Sequence, residues 1–241
     1  MNSPEDRMTL TVTARRALTR DIAEFILAAS DDRVLPGFGP GAHITIETPS
    51  GAMRRYSLVN DGEEPHEYVI AVKREPKSRG GSASMHESVE VGTALVVEPP
   101  ENDFALVEAN KYLLIAGGIG ITPILSMARW LQREGKPFTL IYLTRTPEEA
   151  AYREEVGAFP GAVVHHDRGN PDDFYDFWDH FEKSGMEHVY CCGPAPMMEE
   201  IKALSGHWSE GRVHFEDFKA VTVVREDDAP FRVTVANNGH V

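Results

Sequence analysis

Short apolar runs recur through the first half of the chain, and clusters of Gly, Pro, Asp and Ser separate them. In the run from His43 to Thr48, Ile44 and Ile46 alternate with other residues, as in a half-buried strand. We predict strands over residues 9–14, 22–28, 43–48, 56–60, 68–73 and 94–98, and one helix over 82–89 with Ser82 as its N-cap. Short strands joined by frequent turns predict an antiparallel β-barrel over residues 1–108.

From Tyr112 onward, strand patterns alternate with helix patterns. We predict strands over residues 112–116, 138–143, 162–165, 188–192 and 212–215, and helices over 123–134, 147–156, 172–184 and 196–204. Apolar stripes at helical spacing are predicted to be core, with Ile124, Ala128 and Leu131 in the first helix and Phe174, Phe177, Trp178 and Phe181 in the third. This alternation predicts a doubly wound parallel sheet over residues 109–218, followed by a linker over 219–241.

Charge and cysteine content narrow the class of protein. A net charge of −14 over 241 residues disfavours a nucleic-acid partner, because phosphates would be repelled. No apolar run reaches the roughly 20 residues that cross a bilayer, and Met1 to Leu10 lacks an apolar leader, so a cytoplasmic protein is expected. The two cysteines, Cys191 and Cys192, are adjacent and too few for an iron–sulfur cluster with four thiolate ligands.

A glycine-rich turn stands where the first strand of the second half should lead into a helix. Gly118, Gly120 and Pro123 shape this turn, with Thr122 as the expected N-cap. The amides at this helix end, together with the helix dipole, would attract a pyrophosphate. The pattern is not the GxGxxG fingerprint, and a tight turn without a ligand is the alternative.

A second turn, Cys192-Gly193-Pro194, follows another predicted strand of the same sheet and should emerge at the same carboxyl edge. Cys192 is a possible nucleophile, but no histidine lies near it in sequence. A small polarizable group that packs on a nicotinamide ring is the more economical role. For Cys191, burial at the end of a strand is the competing interpretation.

Thr144-Arg145-Thr146 ends the next predicted strand, where the adenosine ribose of a dinucleotide usually lies. Arg145 is expected either to meet a 2′-phosphate or to stack on adenine. No acidic residue stands directly at this strand end, so the choice between NADH and NADPH stays open on physical grounds.

The first half offers two further anion-binding patterns. In Arg54-Arg55-Tyr56-Ser57, strand alternation sends Arg54 and Tyr56 to one face. Arg54 suits a phosphate, whereas Tyr56 and Ser57 suit the flat ring and polar edge of a flavin. The segment Arg79-Gly80-Gly81-Ser82 adds a phosphate site at a helix N-terminus. An ordinary surface strand and a glycine hinge are the respective alternatives.

A flavin and a nicotinamide nucleotide are the commonest pair of cofactors that would need two such sites, which favours hydride transfer between them. A metal site is the alternative for His165-His166-Asp167. We assign no metal, because strand alternation points adjacent imidazoles in opposite directions.

With these residues identified, the sequence resembles the ferredoxin-NADP reductase superfamily and, within it, the phthalate dioxygenase reductase family. The resemblance extends over nearly the whole chain. The segments that carry it are Leu35-Pro36, Pro40–His43, Arg54–Asn60, Arg79–His86, Pro99–Phe104, Gly117–Pro123, Thr144-Arg145, Cys192–Met197 and His214–Phe218.

The resemblance implies FMN rather than FAD, and NADH as the electron donor. It implies that Thr122 and Cys192 flank the point where nicotinamide C4 meets flavin N5, and that Phe215 to Phe218 close over the flavin. The full cofactor-binding set predicted on this basis is Arg54, Tyr56, Ser57, Leu58, Val72, Lys73, Gly80, Gly81, Ser82, Gly118, Gly120, Ile121, Thr122, Pro123, Arg145, Cys192, Gly193, Pro194, Met197, Phe215 and Phe218.

The resemblance also implies a reductase that passes single electrons, through a 2Fe-2S centre, to an oxygenase that hydroxylates or demethylates aromatic compounds. Family members commonly continue into a ferredoxin domain, whereas this sequence stops at Val241. Glu226 to Ala229 are expected to be an acidic linker and Phe231 to Val235 the first strand of such a domain. A truncated polypeptide is the first expectation, and a short form that uses a separate ferredoxin is the second.

Two other functions fit the same residues. A stand-alone flavin reductase would release its reduced flavin as a product. A docking subunit would keep the fold without turning over, and its acidic surface would serve a protein partner.

Overall fold

Two β-sheets form the framework of the computed structural model, which describes residues 7–76 and 80–218. The first sheet contains β1 (Met8–Ala17), β2 (Ile22–Ala28), β3 (His43–Glu47), β4 (Met53–Ser57), β5 (Glu67–Lys73) and β6 (Ala94–Val97). Its order is β4-β3-β6-β1-β2-β5, and each neighbouring pair is antiparallel. Beyond β4, Leu58 bridges to Ile70 and the Val59 N–H donates to the Val69 carbonyl at 2.9 Å. These bonds join the two ends of the sheet, which confirms the predicted antiparallel barrel.

The second sheet is parallel and has helices on both faces. Its strands are β7 (Tyr112–Gly117), β8 (Phe138–Thr144), β9 (Val163–His166), β10 (His188–Cys192) and β11 (Val213–Glu216), in the order β11-β10-β7-β8-β9. The helices of the fold are α1 (Gly81–Ser88), α2 (Ile121–Arg133), α3 (Arg153–Ala158), α4 (Trp178–Phe181) and α5 (Ala195–Leu204). The strand order reverses at β7, which confirms the doubly wound prediction and places a crevice at the carboxyl ends of β7 and β10.

Side-chain alternation along the parallel strands divides their buried residues between two cores. Leu114, Ala116 and Cys192 pack with α2 on one face, whereas Ile115 and Cys191 pack with α4 and α5 on the other. The two adjacent cysteines therefore point to opposite sides of the sheet, as a period of two requires.

Both helix caps predicted from hydroxyl side chains are wrong. Helix α1 begins at Gly81, and its N-cap is Gly80 at φ +99°, while the Ser82 hydroxyl accepts a hydrogen bond from the Glu75 N–H. Helix α2 begins at Ile121 after a 3₁₀ turn over Gly118–Gly120, so Thr122 lies inside the first turn and donates to the Ile119 carbonyl. At both helix starts, glycine residues form the tight turn that leads into the helix, and the two hydroxyl groups form hydrogen bonds elsewhere.

Two of the predicted helices are also wrong as continuous elements. In the helix predicted over 147–156, a 3₁₀ turn covers Pro147–Glu149. Tyr152, which has a left-handed backbone at φ +57°, separates this turn from α3. The predicted helix over 172–184 is reduced to a 3₁₀ turn at Pro171–Asp173 and the single turn α4. Its predicted apolar stripe is divided: Phe177 and Phe181 are buried, whereas Phe174 and Trp178 are 57% and 56% exposed. The strand predicted over residues 56–60 is also displaced, because the observed strand is β4, Met53–Ser57.

A buried junction joins the barrel to the parallel sheet. Ile22 and Val59 of the barrel belong to the same apolar cluster as residues of α2. Arg129 of α2 donates to the Val59 carbonyl at 2.6 Å and to both carboxylate oxygens of Glu155 at 2.7 and 2.8 Å. The division of the chain into domains at residues 108 and 109 stays a prediction, and residues 219–241, with the predicted linker and strand, lie outside the described residues.

Within the described ranges, no helix combines the length and the apolar character that crossing a membrane would require.

Replacing Arg129 tests how much the junction contributes to stability. We expect Arg129→Met to lower the free energy of unfolding by about 1.5–3 kcal/mol, because hydrogen bonds to a charged group across a part-buried contact are lost. Arg133→Met is the matched control on the same helix, since Arg133 forms ion pairs with Asp61 and Glu63 at the surface. The control should lose less than about 1 kcal/mol in urea unfolding. Equal losses in the two variants would contradict a structural role for the junction.

Candidate functional site

A cleft between the barrel and the parallel sheet is the principal candidate site. Its cavity has a volume of about 270 Å³. One wall comes from the barrel, and the other comes from the last residues of β11 and the two residues that follow it. The lining residues are His43, Arg54, Arg55, Ser57, Asp103, Phe104, Phe215, Glu216, Asp217 and Phe218. The structure thus brings together Arg54, Ser57, Phe215 and Phe218, which lie far apart in sequence.

The side chain of Arg54 lies against the N-terminus of α1. Gly81 is buried there, and a Cβ atom at Gly81 would stand 2.8 Å from Arg54 Nε. The guanidinium and the first amides of α1 therefore share one small region, a combination that favours an anion. Gly80 and Ser82 flank this region, and the predicted Arg79 lies outside the described residues.

Tyr56 lies beside this wall but packs against the apolar interior of the barrel. Its hydroxyl oxygen is buried and has no hydrogen-bond partner within the described part of the chain. Burial raises the pKa of Tyr56 well above its ordinary value. A buried hydroxyl without a partner is costly, and Tyr56 is not among the residues that line the cavity, so its part in cofactor binding stays a prediction.

Only four of the predicted cofactor residues, Arg54, Ser57, Phe215 and Phe218, line the cavity, and Leu58, Val72 and Lys73 are among those that do not. Leu58 and Val72 are buried in the barrel, and the Val72 carbonyl accepts a hydrogen bond from His86 Nε2 at 2.8 Å. Lys73 is exposed, and its Nζ lies 3.6 Å from Glu75 Oε1. Their part in cofactor binding stays a prediction.

The glycine turn and the Cys192 turn meet at the carboxyl edge of the sheet. A Cβ atom at Gly120 would stand 2.2 Å from the Cys192 carbonyl oxygen, and one at Gly193 would stand 2.9 Å from Gly117 Cα. A Cβ atom at Gly117 would likewise crowd Pro194 and Met197, at 2.5 and 3.0 Å. The main chains of the two turns therefore pack directly against each other. Gly118 lies in the 3₁₀ turn, and Ile121 and Pro123 are buried in the first turn of α2.

The two residues predicted to flank the reacting atoms are buried. Thr122 is 2% exposed, and its hydroxyl is already a donor to Ile119. Burial raises the pKa of the Cys192 thiol well above its ordinary value, and the nearby Glu216 carboxylate adds to this effect. A thiol that stays protonated is a poor nucleophile, so the environment favours packing over covalent chemistry for Cys192.

Glu216 and His43 also line the cavity, although neither was named among the predicted cofactor-binding residues; Glu216 lies within the segment 215–218 that was expected to close over the flavin. Glu216 ends β11 in register with Cys192, and its Oε2 is buried with no hydrogen-bond partner in the described residues. Burial, reinforced by Asp103, raises the pKa of Glu216 to about 7. His43 is 3% exposed, and burial lowers its pKa. The sequence did contain a signal for Glu216, because it is an acidic residue at the end of the last predicted strand, and that strand end lies at the same carboxyl edge as Cys192.

Comparison with known proteins agrees with this geometry. A family model described as the oxidoreductase NAD-binding domain matches residues 114–203. The chain is 47% identical, over 236 residues, to the phthalate 4,5-dioxygenase oxygenase reductase subunit of Pseudomonas putida, covering 95% of this chain and 73% of that protein. It is 42% identical to the phthalate dioxygenase reductase of Burkholderia cepacia, covering 99% of this chain and 77% of that protein.

The chain belongs to the phthalate dioxygenase reductase family.

A solved structure from this family has the same fold. It is a phthalate dioxygenase reductase described as a modular structure for electron transfer from pyridine nucleotides to [2Fe-2S]. The TM-score is 0.85 at 44% sequence identity, and the match covers 88% of this chain and 68% of that one. The chain is accordingly an oxidoreductase with the architecture of this reductase family.

Arg145 and the two adjacent histidines lie elsewhere on the carboxyl edge, beyond β8 and β9. Arg145 is exposed. His166 Nδ1 lies 2.7 Å from the Thr144 hydroxyl, whereas His165 Nε2 lies 2.6 Å from the Asp173 carbonyl, so the imidazoles have separate partners. Residues 7–76 and 80–218 contain no group of three or more His, Cys, Asp or Glu placed to hold a metal ion.

Replacing Gly120 tests the contact between the two turns. We expect Gly120→Ala to lower the free energy of unfolding by about 1–3 kcal/mol and to weaken pyridine-nucleotide binding, because the new methyl group must displace the Cys192 carbonyl. Gly157→Ala is the control, since a Cβ atom at that helical glycine meets nothing within 4 Å. Thermal unfolding and nucleotide titration of both variants give the comparison. A neutral Gly120→Ala variant would show that the turns do not need this close approach.

The raised pKa of Glu216 makes stability depend on pH. A carboxyl group with a folded pKa of about 7, against an ordinary 4.5, stabilises the fold fully below about pH 4.5 and loses that contribution as pH rises through 7. Relative to Glu216→Gln, the wild type should therefore lose about 1–3 kcal/mol of unfolding free energy between pH 4.5 and 8. Glu210→Gln, at an exposed residue outside the cavity, should follow the wild type. Urea unfolding at several pH values measures the difference, and parallel curves for all three proteins would contradict it.

Proposed function

We propose that this chain is the NADH-oxidising reductase component of an oxygenase system, that it binds FMN at the cleft, and that it supplies single electrons to a 2Fe-2S centre. The observation that carries this proposal is the cleft itself. There, Arg54 and Ser57 of the barrel face Phe215 and Phe218 at the end of the nucleotide-binding half. Bound FMN would supply the change from hydride acceptance to one-electron transfer.

The barrel side of the cleft suits the flavin nucleotide. Arg54 and the first turn of α1 form a site for a phosphate, and Gly81 provides the space in which they meet. Ser57, which lines the cavity, supplies a polar contact beside it. Phe215 and Phe218 provide apolar walls against which a flat ring can pack.

The nucleotide side of the cleft suits NADH. The glycine turn before α2 presents backbone amides to a pyrophosphate, while the absence of side chains at Gly118 and Gly120 allows it to approach closely. In this proposal Cys192 and Thr122 orient the nicotinamide through packing and take no part in covalent chemistry. Hydride transfer needs distance and orientation, which rigid buried side chains provide.

The partners in this proposal are an iron–sulfur protein or domain and an oxygenase. Support comes from family membership, because the relatives named above are reductase components of phthalate dioxygenases. We propose an aromatic compound as the final substrate class, with hydroxylation or demethylation as the oxygenase reaction.

Anaerobic mixing of the flavin-loaded chain with NADH tests the function. We expect the flavin absorbance to bleach, and the cofactor released by heat to have the mass of FMN. An absorbance that NADH leaves unchanged would rule out the proposed electron transfer, and the mass of FAD would rule out the proposed cofactor. A flavin that leaves the protein on each turnover would instead identify a stand-alone flavin reductase.

Variants at Arg54 connect this function to the cleft. We expect Arg54→Ala to weaken FMN binding about tenfold or more, because a charge-assisted contact to the phosphate is lost. Arg33→Ala removes an exposed barrel arginine outside the cavity and serves as the control for net charge. Fluorescence titration of the apoprotein with FMN compares the two, and equal affinities would contradict the assigned phosphate site.

A further inference from the structure

Strand β11 carries one wall of the cleft, although it is short and lies at the edge of the parallel sheet. It contains four residues, and its neighbour in the sheet is β10. Its last residues, Phe215 and Glu216, line the cavity together with the two residues that follow. A short edge strand has few contacts to hold it, so side-chain contacts to β10 matter for the position of this wall.

One such contact joins two histidines in the amino-terminal halves of β10 and β11. His188 Nδ1 lies 3.0 Å from His214 Nε2, which is a hydrogen-bond distance. The ring centroids are 5.3 Å apart, and the ring planes differ by 15°. Because the centroid distance exceeds the nitrogen distance by the two ring radii, both nitrogens and both centroids lie nearly on one line. The imidazoles are therefore almost coplanar, end to end, and form an in-line N–H···N hydrogen bond between the strands.

The histidine pair packs on the residues that fasten the barrel to the parallel sheet. The ring of His214 stacks on Tyr190, with centroids 4.4 Å apart and planes 14° apart. The Tyr190 hydroxyl accepts a hydrogen bond from the Val107 N–H and donates one to the Ala105 carbonyl, in the segment that joins the two halves. Tyr112 of β7 packs against Tyr190 at a centroid distance of 6.4 Å. The pair is thus the outer layer of an aromatic cluster.

The groups around the pair favour neutral imidazoles. Burial lowers the pKa of His188, and the Arg212 guanidinium lowers it further. Burial also lowers the pKa of His214, and His188 adds to this effect. Burial raises the pKa of Tyr190 to about 12, so the ring that stacks on His214 carries no charge. Lys111, just before β7, accepts a hydrogen bond from the His188 N–H through its carbonyl, while its side chain is exposed. Near neutral pH both rings are therefore neutral and share one proton.

An in-line pair of this kind can take one extra proton, but not two, without losing its hydrogen bond. The first proton adds to the outer nitrogen of the donating ring, and the N–H···N bond stays. The second proton has only the accepting nitrogen left, because the outer nitrogen of that ring already carries a proton. Two N–H groups then face each other, and two positive charges repel. Full protonation therefore breaks this contact between β10 and β11.

We propose that the His188–His214 pair is a pH-sensitive clamp on β11, which fixes the cleft wall while the rings share a proton and releases it in acid, when both rings are charged. Because both pKa values are lowered by folding, the stabilisation is complete above the ordinary histidine pKa of 6.5 and is lost as pH falls below it. FMN binding at the cleft then weakens in acid. This consequence for FMN rests on the proposed function, whereas the clamp does not.

Substitutions that keep the hydrogen bond but cannot take the proton test the clamp. In His214→Gln the side-chain amide can replace Nε2, and in His188→Asn it can replace Nδ1. Between about pH 7.5 and about pH 4.5, we expect the Kd of FMN to rise about three- to tenfold more for the wild type than for either variant. His214→Ala has no such bond at any pH and should bind FMN about three- to tenfold more weakly at neutral pH. Fluorescence titration of the full chain measures all four proteins.

Two other groups titrate in the same range, namely the phosphate of FMN and Glu216, which follows His214 on the same face of β11. Both are present with the wild type and with the variants, so the comparison between proteins removes their effect. His207→Gln, at an exposed histidine outside the pair, should follow the wild type.

NMR of the full chain with ¹⁵N-labelled histidine tests the clamp without reference to the flavin. Near neutral pH we expect a scalar coupling between His188 Nδ1 and His214 Nε2 across the hydrogen bond, and we expect it to vanish in the pH range in which FMN affinity falls. A coupling that is absent near neutral pH, or one that persists to about pH 4.5, would overturn the clamp, and so would equal pH dependence of FMN binding in the wild type and both amide variants. If the clamp behaves as expected but NADH does not bleach the flavin, the proposed function is wrong while the clamp stands.

Discussion

The close approach of two turns at one edge of a parallel sheet is the contact on which the candidate site depends. Gly120 reaches the carbonyl of Cys192, and Gly193 reaches Gly117, at separations that leave no space for a Cβ atom. This contact holds the start of α2 beside the end of β10. It therefore sets where backbone amides, a buried thiol and the end of β11 lie relative to one another. Parallel strands make the contact possible, because their carboxyl ends lie at one edge.

The junction between the two sheets gives this edge its second wall. Arg129 joins α2, α3 and the barrel through three hydrogen bonds, and the same apolar cluster continues from Ile22 and Val59 into α2. As a result, Arg54 and Ser57 of the barrel face Phe215 and Phe218 across a shared cavity. Neither half encloses such a site alone.

The surroundings of Cys192 and Thr122 favour packing over covalent chemistry. Cys192 is a buried thiol whose raised pKa keeps it protonated. The Thr122 hydroxyl donates a hydrogen bond to the Ile119 carbonyl in the turn before α2. At the outer edge, Arg145, Arg153 and Arg168 follow β8 and β9 and are exposed.

The sequence by itself determined the barrel, the parallel sheet and the order of the motifs along the chain, since periods of two and 3.6 residues depend only on neighbouring positions. It also predicted that the turns at Gly120 and Cys192 lie side by side, because the carboxyl ends of parallel strands share an edge. Only the tertiary structure decided the helix starts at Gly81 and Ile121, the break at Tyr152 and the exposure of Phe174 and Trp178. It also decided the burial of Glu216 and the backbone hydrogen bond from Arg168 to Arg145. These features depend on contacts between segments far apart in the chain, and no local pattern of residues encodes such contacts.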